Sequence, residues 1–177
     1  LVSLVGVKLM ADGAMGSRGA PLDEDYTDAP GHRGLLQMNE KILEEKVRTV
    51  HERGFQVAIH AIGDRANRAA IGAIASVQGD DLSRRHRIEH VQLLHPADFD
   101  AFKKLHLIAS MQPTHATSDM GWVEERIGPV RSQQAYAWRT LLDRGAHLAF
   151  GSDAPVESIR PLWGLYAAVT RQDHQGE

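Results

Sequence analysis

The feature that most constrains this chain is an alternation. Five short β-rich runs, at 1–10, 55–60, 85–91, 106–112 and 147–151, are separated by stretches with helical periodicity. Asn39 caps the first of these, which carries Ile42, Val47, Val50 and His51 at three- and four-residue spacing, places Arg48 and Arg53 near its negative end and stops at Gly54. Further helices are predicted over 65–77, over 96–105, over 132–144 with Gly145 as its stop, and from Pro161 onward. Strand followed by helix, repeated with short returns, predicts parallel βαβ units, whose fixed handedness leaves an open doubly wound sheet or a (β/α)₈ barrel. No Gly-x-Gly-x-x-Gly follows a strand, and the glycine-rich segment 13–19 has the wrong context, so a dinucleotide fold is set aside. A complete barrel uses eight units and about 250 residues. Five units in 177 residues therefore predict an α/β fold that is a partial TIM (β/α)₈ barrel, with residues 1–177 as a fragment of one domain. The connections 11–37 and 114–131 both follow strands and are long, which puts them at the C-terminal face where barrel enzymes build their sites.

What the strands end on is chemically distinctive. Val57, Ala58 and Ile59 lead to His60; Arg87, Ile88 and Glu89 lead to His90; Ala149, Phe150, Gly151 and Ser152 lead to Asp153. The sequence has ten histidines and no cysteine, which removes disulfides and thiolate ligands and leaves imidazole, carboxylate or a modified lysine to hold any metal. Neutral imidazole and carboxylate suit Zn²⁺ and related ions. Each residue alone has a plainer reading, the histidines as hydrogen-bonded core residues and Asp153 as a helix cap. Lys8 interrupts the apolar run Val5–Met10, where an ammonium must be paired, neutralised, chemically changed or extended to the edge.

The formal charge of −3 supplies no field for a polyanion, and aromatics at 6% are too few for stacking platforms, so nucleic acid is not an expected partner. No apolar run is long enough for a membrane span or signal peptide, and a cytoplasmic location is expected.

Taken together, Val7-Lys8-Leu9 with Ala11-Asp12-Gly13, His60-Ala61-Ile62-Gly63-Asp64, Arg87-Ile88-Glu89-His90, Gln112-Pro113-Thr114-His115 and Gly151-Ser152-Asp153-Ala154-Pro155 resemble the amidohydrolase superfamily. The likeness is to its YtcJ-like, N-substituted formamide deformylase-like branch. That resemblance implies a distorted barrel binding one or two divalent metal ions, with zinc expected, and attack of metal-activated water on an amide or related carbonyl. Matched motif by motif, it implies His60 as the fifth-strand ligand, His90 as the sixth-strand ligand, Asp153 as the eighth-strand carboxylate, and Lys8 as the fourth-strand lysine that can be carboxylated to bridge two metals. Asp153 would also move protons, and His115 would bind substrate or steady an oxyanion, although a solvated loop histidine is equally compatible with its sequence context. Asp12, Asp64, Glu89, Asp119 and Arg131 are supporting candidates. The first-strand His-x-His of the superfamily is missing from this sequence, which fits a chain that starts inside the barrel. The expected substrate is a small amide or N-formyl compound. A lactonase or phosphotriesterase-like hydrolase and a non-catalytic barrel fragment remain as alternatives, and unpaired strand edges predict a homo-oligomer.

Overall fold

The computed structural model describes residues 2–177. Its strands are β1 (Gly6–Met10), β2 (Gln56–Ala61), β3 (Arg87–His90), β4 (Ile108–Met111) and β5 (His147–Phe150). They form one sheet in the order β1-β2-β3-β4-β5, and every neighbouring pair is parallel. This is the predicted set of five βα units.

The helices are α1 (Glu40–Glu52), α2 (Asp64–Gln78), α3 (Phe99–Lys104), α4 (Pro113–Asp119), α5 (Val123–Ser132), α6 (Trp138–Asp143) and α7 (Pro161–Thr170). Asn39 caps α1 as expected, its side chain accepting the Ile42 N–H, and the chain turns away at Gly54 with a φ of 83° that suits glycine. On α1 the residues Leu43, Val47 and Val50 are buried, and on α2 so are Ala66, Ala70, Ile71, Ala73 and Ile74. These stripes pack on the sheet face formed by Val57, Ile59, Ala61, Ile88 and Ala109, which is the core.

The opposite, inner face is polar. The strand registers align Met10, His60, Glu89, Ser110 and Ala149 in one row across all five strands. One pleat repeat below runs the row Lys8, Ala58, Arg87, Ile108 and His147. Between the rows, Arg87 donates to Glu89 at 2.8 Å and to the Ser110 hydroxyl at 2.7 Å. Burial pushes the Glu89 carboxyl up, but the bonds from Arg87 and Ser110 and the charges of Arg87 and Lys8 outweigh it and hold the group below the usual range.

Three expectations differ in detail. The first strand occupies only Gly6–Met10, and Val2, Leu4 and Val5 are exposed. Lys8, on the inner face of β1, is exposed in this chain, and the edge reading of the sequence already allowed for that. The helix predicted over 132–144 starts only at Trp138. Ahead of it Ala135 bridges to Leu93, and the Tyr136 N–H donates to the Gln92 carbonyl at 2.7 Å with Tyr136 at a φ of 51°. These long-range bonds take the groups that helix would have used. Residues 114–131, expected as a long connection, are largely helical. Among the described residues no helix is long and apolar enough to cross a membrane.

Candidate active site

Neighbouring strands β2 and β3 deliver His60 and His90 to the C-terminal end of the sheet. Simple alternation would put them on opposite faces, since register pairs His60 with Glu89 and Ala61 with His90. The backbone breaks that alternation. His90 and Val91 have φ of 78° and 49°, both in the left-handed region that side chains with a Cβ disfavour, and the two imidazole centroids lie 4.4 Å apart. Strain at the end of β3 thus coincides with the approach of the two rings.

The surroundings fix each ring. His90 Nδ1 lies 2.8 Å from Gln112 Oε1, while the Gln112 amide nitrogen reaches the Ser110 carbonyl at 3.4 Å. With the amide so oriented, His90 donates from Nδ1, and its Nε2 keeps a free lone pair. Burial, and next the charge of His60, push His90 down to about 4, so the ring is neutral at neutral pH. His60 Nε2 sits 3.2 Å from Asp12 Oδ1 but off the line of a hydrogen bond, and it is a buried nitrogen without a partner.

Asp12 itself is fully buried, and its carboxylate accepts the N–H of Ile62 at 3.0 Å and of Gly63 at 2.9 Å. It clamps the turn that leaves β2 to the end of β1. Asn67, which sequence reasoning missed, spreads its amide over the carbonyls of Ala61, Ile62, Gly63 and Leu93 at 3.0–3.3 Å. That side chain ties the exits of β2 and β3 together.

His115 lies on α4 rather than in an open loop, and is only 8% exposed. Its ring stacks on His90 at 5.8 Å with planes 8° apart. The Gln92 amide nitrogen is 3.4 Å from His115 Nδ1, and His115 Nε2 is buried without a partner. Asp119, one turn further on, accepts the Tyr136 hydroxyl; burial pushes its carboxyl up, and the bond from Tyr136 opposes this. His60, His90, Gln92, His115, Asp119 and Asp153 line one cleft of about 300 Å³, whose apolar wall includes Met15, Ile62, Trp122 and Val156. Asp153 follows β5 at a φ of 56°, is exposed, and its charge reaches His90.

Other candidates serve the scaffold. The Asp64 carboxylate accepts the N–H groups of Asp23 and Arg65, and Arg131 donates to the carbonyls of Ile127 and Asp25. Glu89 is held by Arg87 in the sheet wall. Gln92, Gln112 and Tyr136 organise the site although sequence reasoning gave them no role. The visible signal for Gln92 is a polar residue between Val91 and Leu93 directly past a strand end.

Among the described residues no three acidic or histidine side chains already converge as a closed metal shell. The donor chemistry still fits a divalent ion: two neighbouring imidazoles, the His90 Nε2 lone pair, and an orphaned nitrogen on His60.

Comparison with known proteins decides the family. A model described as "Amidohydrolase family" matches residues 2–177. The chain belongs to the amidohydrolase family. Within it, the chain is 41% identical over 171 residues to the Arabidopsis thaliana "Protein LONG AFTER FAR-RED 3", covering 95% of this chain and 29% of that protein. It is 36% identical to the "Putative amidohydrolase YtcJ" of Bacillus subtilis, covering 97% of this chain and 32% of that one. An uncharacterized metal-dependent hydrolase from Pyrococcus furiosus superposes with a TM-score of 0.85 at 36% identity, covering 94% of this chain and 34% of the other. A second such hydrolase, from Pyrococcus horikoshii, gives 0.86 at 34% identity over 95% and 33%. This amidohydrolase chain therefore spans about a third of the length of these relatives. Its five strands are the corresponding part of a TIM barrel.

Proposed function

We propose that this chain carries part of the active site of a metal-dependent hydrolase, and that the full-length protein cleaves carbon–nitrogen bonds of small amides or N-formyl compounds. The observation that supports this most is the 4.4 Å approach of His60 and His90 at adjacent strand ends, inside a cleft shared with Asp153 and His115. Relatives described as "Putative amidohydrolase" and "metal-dependent hydrolase" agree with it.

His60, His90 and Asp153 would hold the ion, with zinc favoured by nitrogen and oxygen donors in a chain without thiolates. Lys8, one pleat repeat below the His60 row on the same face, would add an anionic bridge if carboxylated. A bound divalent ion lowers the pKa of water and polarises a carbonyl. The chain's own groups do the rest. Asp153 stands at the edge of the cleft, where an Oδ atom can take a proton from the attacking water and pass it to the leaving nitrogen. His115 would face the carbonyl oxygen of a bound amide, and Trp122 and Met15, which line the same cleft, would form its apolar wall.

The test uses full-length protein stripped by a chelator and reloaded with single metals, assayed against N-formyl compounds, amides, lactones and phosphotriesters. His60→Ala and His90→Ala should each lower bound metal, whereas Asp153→Asn should retain the fold and lose turnover. Undiminished metal in both histidine variants, with normal turnover in Asp153→Asn, would overturn the proposal. Activity confined to lactones or phosphotriesters would overturn the substrate class alone.

A further inference from the structure

We infer that Gln92 is a positioning residue that sets the tautomer of His115, making its Nε2–H a hydrogen-bond donor for the carbonyl oxygen of the substrate. The inference rests on the functional reading above for its substrate, but its structural core stands on two glutamines with opposite orientations. Gln112 turns its carbonyl oxygen to His90 Nδ1 at 2.8 Å, so that His90 carries its proton on Nδ1 and offers Nε2 as a lone pair. Gln92 turns its amide nitrogen to His115 Nδ1 at 3.4 Å. An NH₂ group can only donate, so His115 Nδ1 accepts and the ring N–H resides on Nε2. That Nε2 is the buried nitrogen without a partner, on a ring that lines the cleft. One pair of stacked imidazoles is thereby divided into a ligand and a donor.

The same contact argues against a third imidazole ligand. A metal on His115 Nε2 would leave the proton on Nδ1, facing an amide nitrogen that cannot accept it. Tyr136 holds the Gln92–His115 contact from both sides. Its main-chain N–H donates to the Gln92 main-chain carbonyl at 2.7 Å, and its hydroxyl donates to Asp119, which follows His115 by one helical turn. Leu93 is bridged to Ala135 beside it. The pairing of Gln92 with His115 is therefore built into the packing of the β3 exit against α4. A donor placed this way reaches an oxygen on which negative charge develops, and it acts only as the carbonyl becomes tetrahedral.

The experiment reads the tautomer directly. Full-length protein labelled with ¹⁵N on histidine, metal-free and zinc-loaded, gives long-range ¹H–¹⁵N correlations that distinguish protonated from unprotonated ring nitrogens. His115 is assigned by the signal missing in His115→Gln. The expected result is a protonated Nε2 and an unprotonated Nδ1 on His115 in both forms. In Gln92→Glu the carboxylate would accept from Nδ1, invert the tautomer and lower kcat by about 10²-fold with bound metal and KM nearly unchanged. His115→Gln, which supplies an amide donor, should keep more activity than His115→Leu. A wild-type spectrum with the proton on Nδ1 would refute the inference even if Gln92→Glu fails to fold. A folded Gln92→Glu with inverted tautomer and undiminished kcat would refute the role in turnover. Protein that binds no metal and hydrolyses no amide defeats the functional reading, while the wild-type spectrum still decides the tautomer.

Discussion

Removing the Asp12 carboxylate should destabilise the protein far more than its small side chain suggests. The group is fully buried, and it is the acceptor for the N–H of Ile62, near both oxygens at 3.1 and 3.0 Å, and for the N–H of Gly63 at 2.9 Å. In Asp12→Ala both amides lose that acceptor. A buried polar group left unsatisfied costs about 1–3 kcal/mol, so two give roughly 2–6 kcal/mol, and water entering the small void brings the expected loss to about 3 kcal/mol. Against a usual total of about 5–15 kcal/mol this is a large fraction. Asp12→Asn retains one acceptor oxygen but turns an NH₂ toward a donor, and should lose about half as much. Urea unfolding of the full-length protein, followed by circular dichroism with the slope checked for constancy, measures both. Because the turn begins two residues after His60, metal retention after dialysis should also fall. A loss below about 0.5 kcal/mol in Asp12→Ala with the slope unchanged would refute the reasoning.

Three further outcomes are expected. His86 is fully buried between the Val57 N–H, which its Nδ1 accepts at 3.0 Å, and His51 Nδ1 at 3.0 Å; burial, then the charges of His51 and Arg84, push it down to about 4 from 6.5. Since the folded pKa is the lower one, its stabilising contribution is complete above about 6.5 and is lost as pH falls toward about 4, by roughly 3 kcal/mol at most. Urea midpoints taken from pH 7.5 down to pH 4.5 should fall, and should fall less steeply in His86→Gln; identical slopes would contradict this. Among glycines, a Cβ at Gly63 would stand 2.1 Å from the Pro21 carbonyl oxygen, so Gly63→Ala should lower the thermal midpoint by the equivalent of about 3 kcal/mol or more. At exposed Gly72, inside α2 with open space around it, Gly72→Ala should raise the midpoint by the equivalent of about 0.5–1 kcal/mol.

The repeating architecture was legible because it depends on local pattern. Apolar spacing on α1, the Asn39 cap and the Gly54 stop each act within a few residues, and strands such as Val57–Ile59 are apolar enough to mark themselves. The placement of His60, His90 and Asp153 at strand ends was legible for the same reason. The approach of the rings was not, because it depends on left-handed backbone at His90 and Val91, which no propensity signals. Gln92 finds His115, and Tyr136 finds both Gln92 and Asp119, across distances in sequence that a periodicity window cannot span. That pairing also explains the misread helix: Gln134, Ala135 and Tyr136 suit a helix, but the bridge to Leu93 and the bond to Gln92 override the preference. The apolar strand around Lys8 decides neither enclosure nor an edge position, since its exposure depends on what faces the inner side of the sheet.

The order of the strands in space is also their order in the chain. Each new unit leaving the ribosome therefore meets, as its template, the edge laid down just before it, and no strand must wait for a later one to be threaded between two earlier ones. Search distances stay short, which favours stepwise growth over a late global collapse. The chemistry matures on the same schedule: the Asp12 clamp can close once β2 emerges, the paired imidazoles meet when β3 docks, Gln112 and His115 arrive with β4 and α4, and Asp153 comes last with β5. A nascent chain paused after β3 would already hold its two neighbouring imidazoles while still lacking Asp153, which joins their cleft only when β5 has emerged.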